Sequence, residues 1–136
     1  MKLVHDLKGK WAWEKDGKLS ERRIEFVSNK DGIMLNVIDG DDVFSLKSLA
    51  LNMETEPDGT KSYFLGNYWP KKDGTGFFSF ESRFTESGAG GVFVNASEFT
   101  FLDAETLKQD FMGYRFDRER EKWIPFHQEE ILKRVK

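Results

Sequence analysis

The chain has 136 residues, a length that favours one domain and buries about two-thirds of the unfolded surface. Only 38% of the residues are apolar, but 13 Phe, 4 Trp and 3 Tyr each bring a large area, so a core built from rings is expected. The 21 Lys and Arg are interleaved with 24 Asp and Glu, which argues against nucleic-acid binding, and the lack of cysteine excludes disulfides, thiolate nucleophiles and Cys-based metal sites.

Trp11 and Trp13 alternate with Ala12 and Glu14, the period of a half-buried strand, and Asp16-Gly17 supplies a tight turn. Leu19 to Ser28 predicts a strand with Arg22, Ile24 and Phe26 on one face and Glu21, Arg23 and Glu25 outside. Asn29-Lys30-Asp31-Gly32 turns the chain, and Ile33, Leu35 and Val37 alternate with Met34, Asn36 and Ile38 up to the turn Asp39-Gly40-Asp41-Asp42. Val43 to Glu54 breaks alternation at Leu46, Leu49 and Leu51, so a bulged strand is expected, with a short helix as its rival. Pro57-Asp58-Gly59 is a turn, Tyr63 to Trp69 a strand, and Pro70 to Gly74 a further turn. Phe78, Phe80 and Phe84 then alternate with Ser79, Glu81 and Arg83.

Glu86 to Gly91 reads as a flexible loop, and Val92 to Asn95 and Glu98 to Leu102 as two strands. Leu107 to Asp117 places Met112, Tyr114 and Phe116 on one face; Trp123 to Phe126 and Glu129 to Val135 finish the chain, with a short terminal helix as the rival reading. Turn signals at intervals of about 8–12 residues between alternating segments, without long crossover helices, predict an all-β fold. The architecture expected is one antiparallel up-and-down barrel of about eight to ten strands.

Gly9-Lys10-Trp11 opens the first strand, and Lys133-Arg134 lies late on the last. A Gly-x-Trp motif paired with a late basic residue resembles the lipocalin and wider calycin superfamily, in particular the compact bacterial lipocalin-like or avidin-like barrels. The resemblance implies that residues 1–136 form a single lipocalin-like domain. It further implies that Gly9, Trp11 and Arg134 close the barrel, with Trp11 at its base and Arg134, or alternatively Lys133, over the indole. Cation–π attraction and burial of the basic stem are the physical reasons for such a pairing.

The resemblance points to binding of a small apolar or amphipathic molecule inside the barrel. Trp13, Arg22, Phe26, Tyr63, Trp69, Phe80 and Tyr114 are the expected ligand contacts, with Phe78 and Phe101 as further candidates, and Arg22 suits a ligand carboxylate. For most of these rings a filled core is the favoured reading. One alternative is a small-barrel enzyme of isomerase, cyclase or dehydratase type on a lipophilic substrate. It requires an inward carboxylate with a raised pKa and no Arg partner; strand parity offers Arg22, Asn36, Tyr63, Glu81, Asp110 and Tyr114 as inward polar candidates. The other alternative is a non-catalytic interaction module with an apolar outer patch or an exposed edge strand.

His5 and His127 are the candidate haem or metal ligands, but an end of the chain and a strand end suit surface roles better. Asp39, Asp41 and Asp42 read as a solvated turn rather than a Ca²⁺ loop, and Gly88 to Gly91 as a mobile loop rather than a phosphate cradle. No metal or cofactor is therefore expected. The N-terminus lacks an apolar signal core and no apolar run approaches a membrane span, so a cytoplasmic chain, with a homodimer as an option, is expected.

Overall fold

The computed structural model describes residues 3–29, 32–47, 50–86 and 91–136, with the backbone alone at 28, 29, 32 and 34. The strands are β1 (Lys10–Lys15), β2 (Lys18–Leu19), β3 (Arg23–Asn29), β4 (Gly32–Asp39), β5 (Asp42–Leu46), β6 (Asn52–Thr55), β7 (Lys61–Pro70), β8 (Gly76–Thr85), β9 (Phe93–Asp103), β10 (Thr106–Asp117) and β11 (Lys122–Val135). No helix occurs among the described residues, so none there is long and apolar enough to cross a membrane.

Ten strands follow one path, β5-β4-β3-β1-β11-β10-β9-β8-β7-β6, and the short β2 pairs with β1 alone. All pairings along it are antiparallel. The first and last long strands meet, with Trp11 opposite Arg134 and Trp13 opposite Leu132. The ends of the path, β5 and β6, follow one another in the chain but share no ladder. The result is an up-and-down barrel, nearly closed, with one seam.

Three segments differ from the sequence expectation. The single bulged strand over Val43 to Glu54 is instead two strands, β5 and β6, and the short helix is absent from the described part of that segment. The Asn52 side chain explains the break. Its Oδ1 accepts the Lys47 N–H at 3.2 Å, and its Nδ2 donates to the carbonyls of Lys47 and Ala50 at 3.2 and 3.0 Å. Backbone groups satisfied by a side chain need no ladder partner.

Val92 to Leu102 is likewise continuous from Phe93 as β9, and the terminal segments join as β11 rather than ending in a helix. Pro125 is tolerated inside β11 because β1 pairs with that strand only from Ile131 onward. The missing proline N–H therefore faces an unpaired side. The bulge that does occur lies between Thr106 and Leu107, where β10 meets β9. Of the turn at residues 29–32, Lys30 and Asp31 lie outside the described residues.

The core fills the end of the barrel where the chain termini meet. Trp11, Phe77, Leu107 and Leu132 are fully buried, joined by Ile24, Ile33, Leu35 and Phe101. At its centre Phe77 stacks on Phe99 with centroids 4.5 Å apart, and Phe26 meets Phe77 edge-on at 5.1 Å. Such ring pairs add about 0.5–1.5 kcal/mol each beyond area burial.

Arg134 caps this end. Its guanidinium lies 4.4 Å from the Trp11 ring, bonds the carbonyls of Lys8, Asp6 and Ala104, and meets Glu105 at 3.3 Å. Gly9 has φ +97°, a conformation open to glycine, and this brings the carbonyls before it under Arg134.

Candidate functional site

The seam is held by side chains instead of backbone. Besides the Asn52 latch, Phe44 of β5 faces Phe64 of β7 at 5.4 Å. Beneath them lies a narrow slot of about 10 Å³ lined by Leu46, Lys47, Asn52, Phe64, Tyr68 and Glu81. That volume approaches the size of one water molecule, so a larger guest has to part β5 from β6 and β7.

The floor of the slot is polar for a reason visible in the register. β8 turns Phe77, Ser79, Glu81, Arg83 and Thr85 to one face; Phe77 is core, so the four polar residues also face inward. Across β9 and β10 the same face carries Asn95, Ser97 and Gln109. A chain of hydrogen bonds crosses it: Trp13 Nε1 donates to Gln109 Oε1 at 3.4 Å, Gln109 Nε2 to Ser97 Oγ at 3.2 Å, and Ser97 Oγ to Asn95 Oδ1 at 3.4 Å. Ser79, opposite both Tyr68 and Ser97, is buried, and its hydroxyl has no partner among the described residues.

Glu81 sits beside it. The Tyr68 hydroxyl donates to Glu81 Oε1, and no Lys or Arg pairs with this carboxyl among the described residues. Neighbouring Arg83 is engaged elsewhere, with Glu56 at 2.9 Å, Ser62 at 3.1 Å and the Gly91 carbonyl at 2.9 Å. Burial raises the Glu81 pKa above its ordinary 4.5, and the Tyr68 hydrogen bond only partly opposes this. Tyr68 is pushed well above the phenol range by burial and by the Glu81 charge, so it keeps its proton.

A carboxyl whose pKa is higher folded than unfolded holds its proton more tightly in the folded chain. Its contribution to stability is complete below about pH 4.5 and is lost as pH rises through the folded value. Glu130, also raised by burial, acts in the same direction. Glu81→Gln therefore should flatten the fall in melting temperature above this pH, gaining on wild type as pH increases. Parallel melting curves across the acidic and neutral range would contradict the burial of this carboxyl.

The sequence-expected ligand residues separate into two sets. Trp13 is half-buried within the polar chain, and Phe26 is in the ring core. Arg22 is exposed and pairs with Asp39 at 3.5 Å. Tyr63 stacks on Phe84 at 5.2 Å and donates to Glu86 at 3.1 Å. Trp69, Phe80 and Tyr114 project outward, as does Phe78 against Trp69 at 5.9 Å. Gly9, Trp11 and Arg134 come together as described, while Lys133 donates to Thr106.

Of the other inward candidates, Glu81 is the one on the inner floor. Asn36 bonds Glu25 at 3.0 Å, and Asp110 meets His127 Nε2 at 2.6 Å on the outer surface. His5 lies edge-on to Phe101 at 5.2 Å. The residues 88–90 of the glycine-rich loop lie outside the described residues. Ser79, Tyr68 and Asn52 were not marked by sequence reasoning; the shared parity of Ser79 and Glu81 was the available signal. No protein-family model, curated protein or solved structure matches the chain.

Proposed function

We propose that the barrel binds a small amphipathic molecule admitted at the β5–β6 seam. Its polar group meets Glu81, Tyr68 and Ser79; its apolar part displaces Phe44 and Phe64 and reaches toward Trp13 and Phe26. One observation carries this reading: among the described residues, Glu81, an inward carboxyl without a Lys or Arg partner, lines the slot beside the unladdered β5–β6 junction, and two residues away on the same face of β8 lies the buried, unpartnered hydroxyl of Ser79. Buried polar groups ordinarily find partners, so the Ser79 hydroxyl calls for one, and the polar group of a bound molecule would supply it. The packing of Arg134 on Trp11 supports the lipocalin-like assignment and, with it, a binding role.

A second reading has a specific observation of its own. The raised pKa of Glu81 suits a proton donor or acceptor, as an isomerase, cyclase or dehydratase on a lipophilic substrate requires. Under it, Glu81→Gln retains binding and abolishes turnover.

Titration with neutral N-phenyl-1-naphthylamine, an apolar ring system with one N–H donor, tests the binding proposal by fluorescence. Saturable binding is expected, weakened at least about tenfold, or 1.4 kcal/mol, in Ser79→Ala and Glu81→Leu. Asn52→Ala, which removes the latch, should speed uptake. Absence of saturable binding, or equal affinity in all variants, would overturn the site.

A further inference from the structure

We propose that the outer face of β7–β11 is the surface on which a second copy of this chain packs, sheet against sheet. The alternation that turns Ser79, Glu81 and Arg83 inward turns the rings of β8 outward. One cross-strand row on this face reads Leu65, Ser82, Val94, Tyr114 and Pro125. Around it Leu65, Trp69, Phe80, Phe84, Tyr114 and Trp123 are each 42–53% exposed.

At about 200 Å² per large side chain, these six leave on the order of 600 Å² of apolar surface in one region. That is the upper end of what a monomer exposes, and most of the about 800 Å² that each partner buries in a standard interface.

Three features favour a copy of the chain over other occupants. The face carries both parts of a self-complementary contact: projecting rings at Trp69 and Phe80, and an open hollow of about 310 Å³ between Val94, Tyr114 and Trp123. A two-fold interface needs both on one patch, since each copy presents the same surface. The patch is bordered on one side by internally matched polar pairs, the ion pairs Lys71–Glu98 at 2.5 Å and Lys108–Glu129 at 3.9 Å and the hydrogen-bonded His127–Asp110 at 2.6 Å. This is the apolar centre and polar rim of a protein interface. An anionic membrane calls for a basic excess, whereas this chain carries a net charge of −3.

Sedimentation velocity of the full chain tests the proposal, with far-UV circular dichroism confirming that each variant folds. A species near twice 15.8 kDa is expected for wild type. Trp123→Lys and Leu65→Lys, from opposite sides of the patch, are each expected to weaken association at least tenfold; either suffices if the other misfolds. Val43→Lys, on the exposed face of β5, should leave the dimer intact. A monomeric wild type at every concentration overturns the proposal, as does a dimer that persists in the patch variants or is lost in Val43→Lys. Wild-type monomer that co-sediments with phosphatidylcholine vesicles would assign the face to lipid instead.

Discussion

Trp11→Ala is expected to destabilise the fold by about 3–5 kcal/mol, measured by chemical denaturation. Trp11 is fully buried, so truncation leaves a cavity where Ile24, Leu107 and Leu132 converge. Two further losses follow. The indole N–H no longer donates to the Leu7 carbonyl at 3.1 Å, which anchors the segment before β1. Arg134 loses the ring beneath it, a contact of about 0.5–2 kcal/mol depending on desolvation. Because Trp11 stands where the first and last long strands pair, the change strikes barrel closure itself. A loss under about 1 kcal/mol, the range of surface substitutions, would place Trp11 outside the core.

Gly76→Ala is the second change with a large expected effect. A Cβ at Gly76 would lie 1.8 Å from the Phe99 carbonyl oxygen, 2.9 Å from its carbon and 3.0 Å from Thr100 Cα. All three are backbone atoms, so no side-chain rotation relieves the clash. Gly76 opens β8 beside Phe77, whose ring stacks on Phe99; separating the strands therefore spoils the central ring pair as well. The expected loss is about 3 kcal/mol, the upper end for overpacking. Thermal melting of Gly76→Ala against a conservative surface change such as Val43→Thr measures it. A melting temperature equal to wild type would contradict the close strand approach.

How far the sequence discloses this architecture depends on the question asked of it. Alternation located strands and separated their faces: Ile24 with Phe26, and Ile33 with Leu35, are buried together as their spacing predicts. The turns at Asp16-Gly17 and Gly40-Asp41 follow from residue chemistry alone. Which face points inward is harder, and β8 shows why. Its outward face bears Phe78, Phe80 and Phe84, while the inward face bears Ser79, Glu81 and Arg83 after a single Phe77.

Hydrophobicity favours the opposite orientation for that strand. Register with Phe99, Ser97 and Asn95 on β9 holds it as it is, and register across neighbouring strands is not a property of one segment. Glu81 was legible as an inward candidate, but so was its neighbour Phe80, and alternation allows only one of the two inside; the register decides for Glu81. Ser79 was not legible, because its importance lies in lacking a partner. The Asn52 latch and the strand continuity through His127 and Gln128 were hidden for a similar reason: both depend on which strand lies alongside.

The central claim is that the seam and the Glu81–Ser79 floor hold a small molecule. Intact mass of the chain purified from cells, taken first under native and then under denaturing conditions, tests it most directly. The account predicts an added mass of a few hundred daltons that leaves on denaturation and is missing from Glu81→Leu purified in parallel. No added mass in wild type, even after incubation with an amphipathic extract, or the same added mass in both proteins, would contradict it.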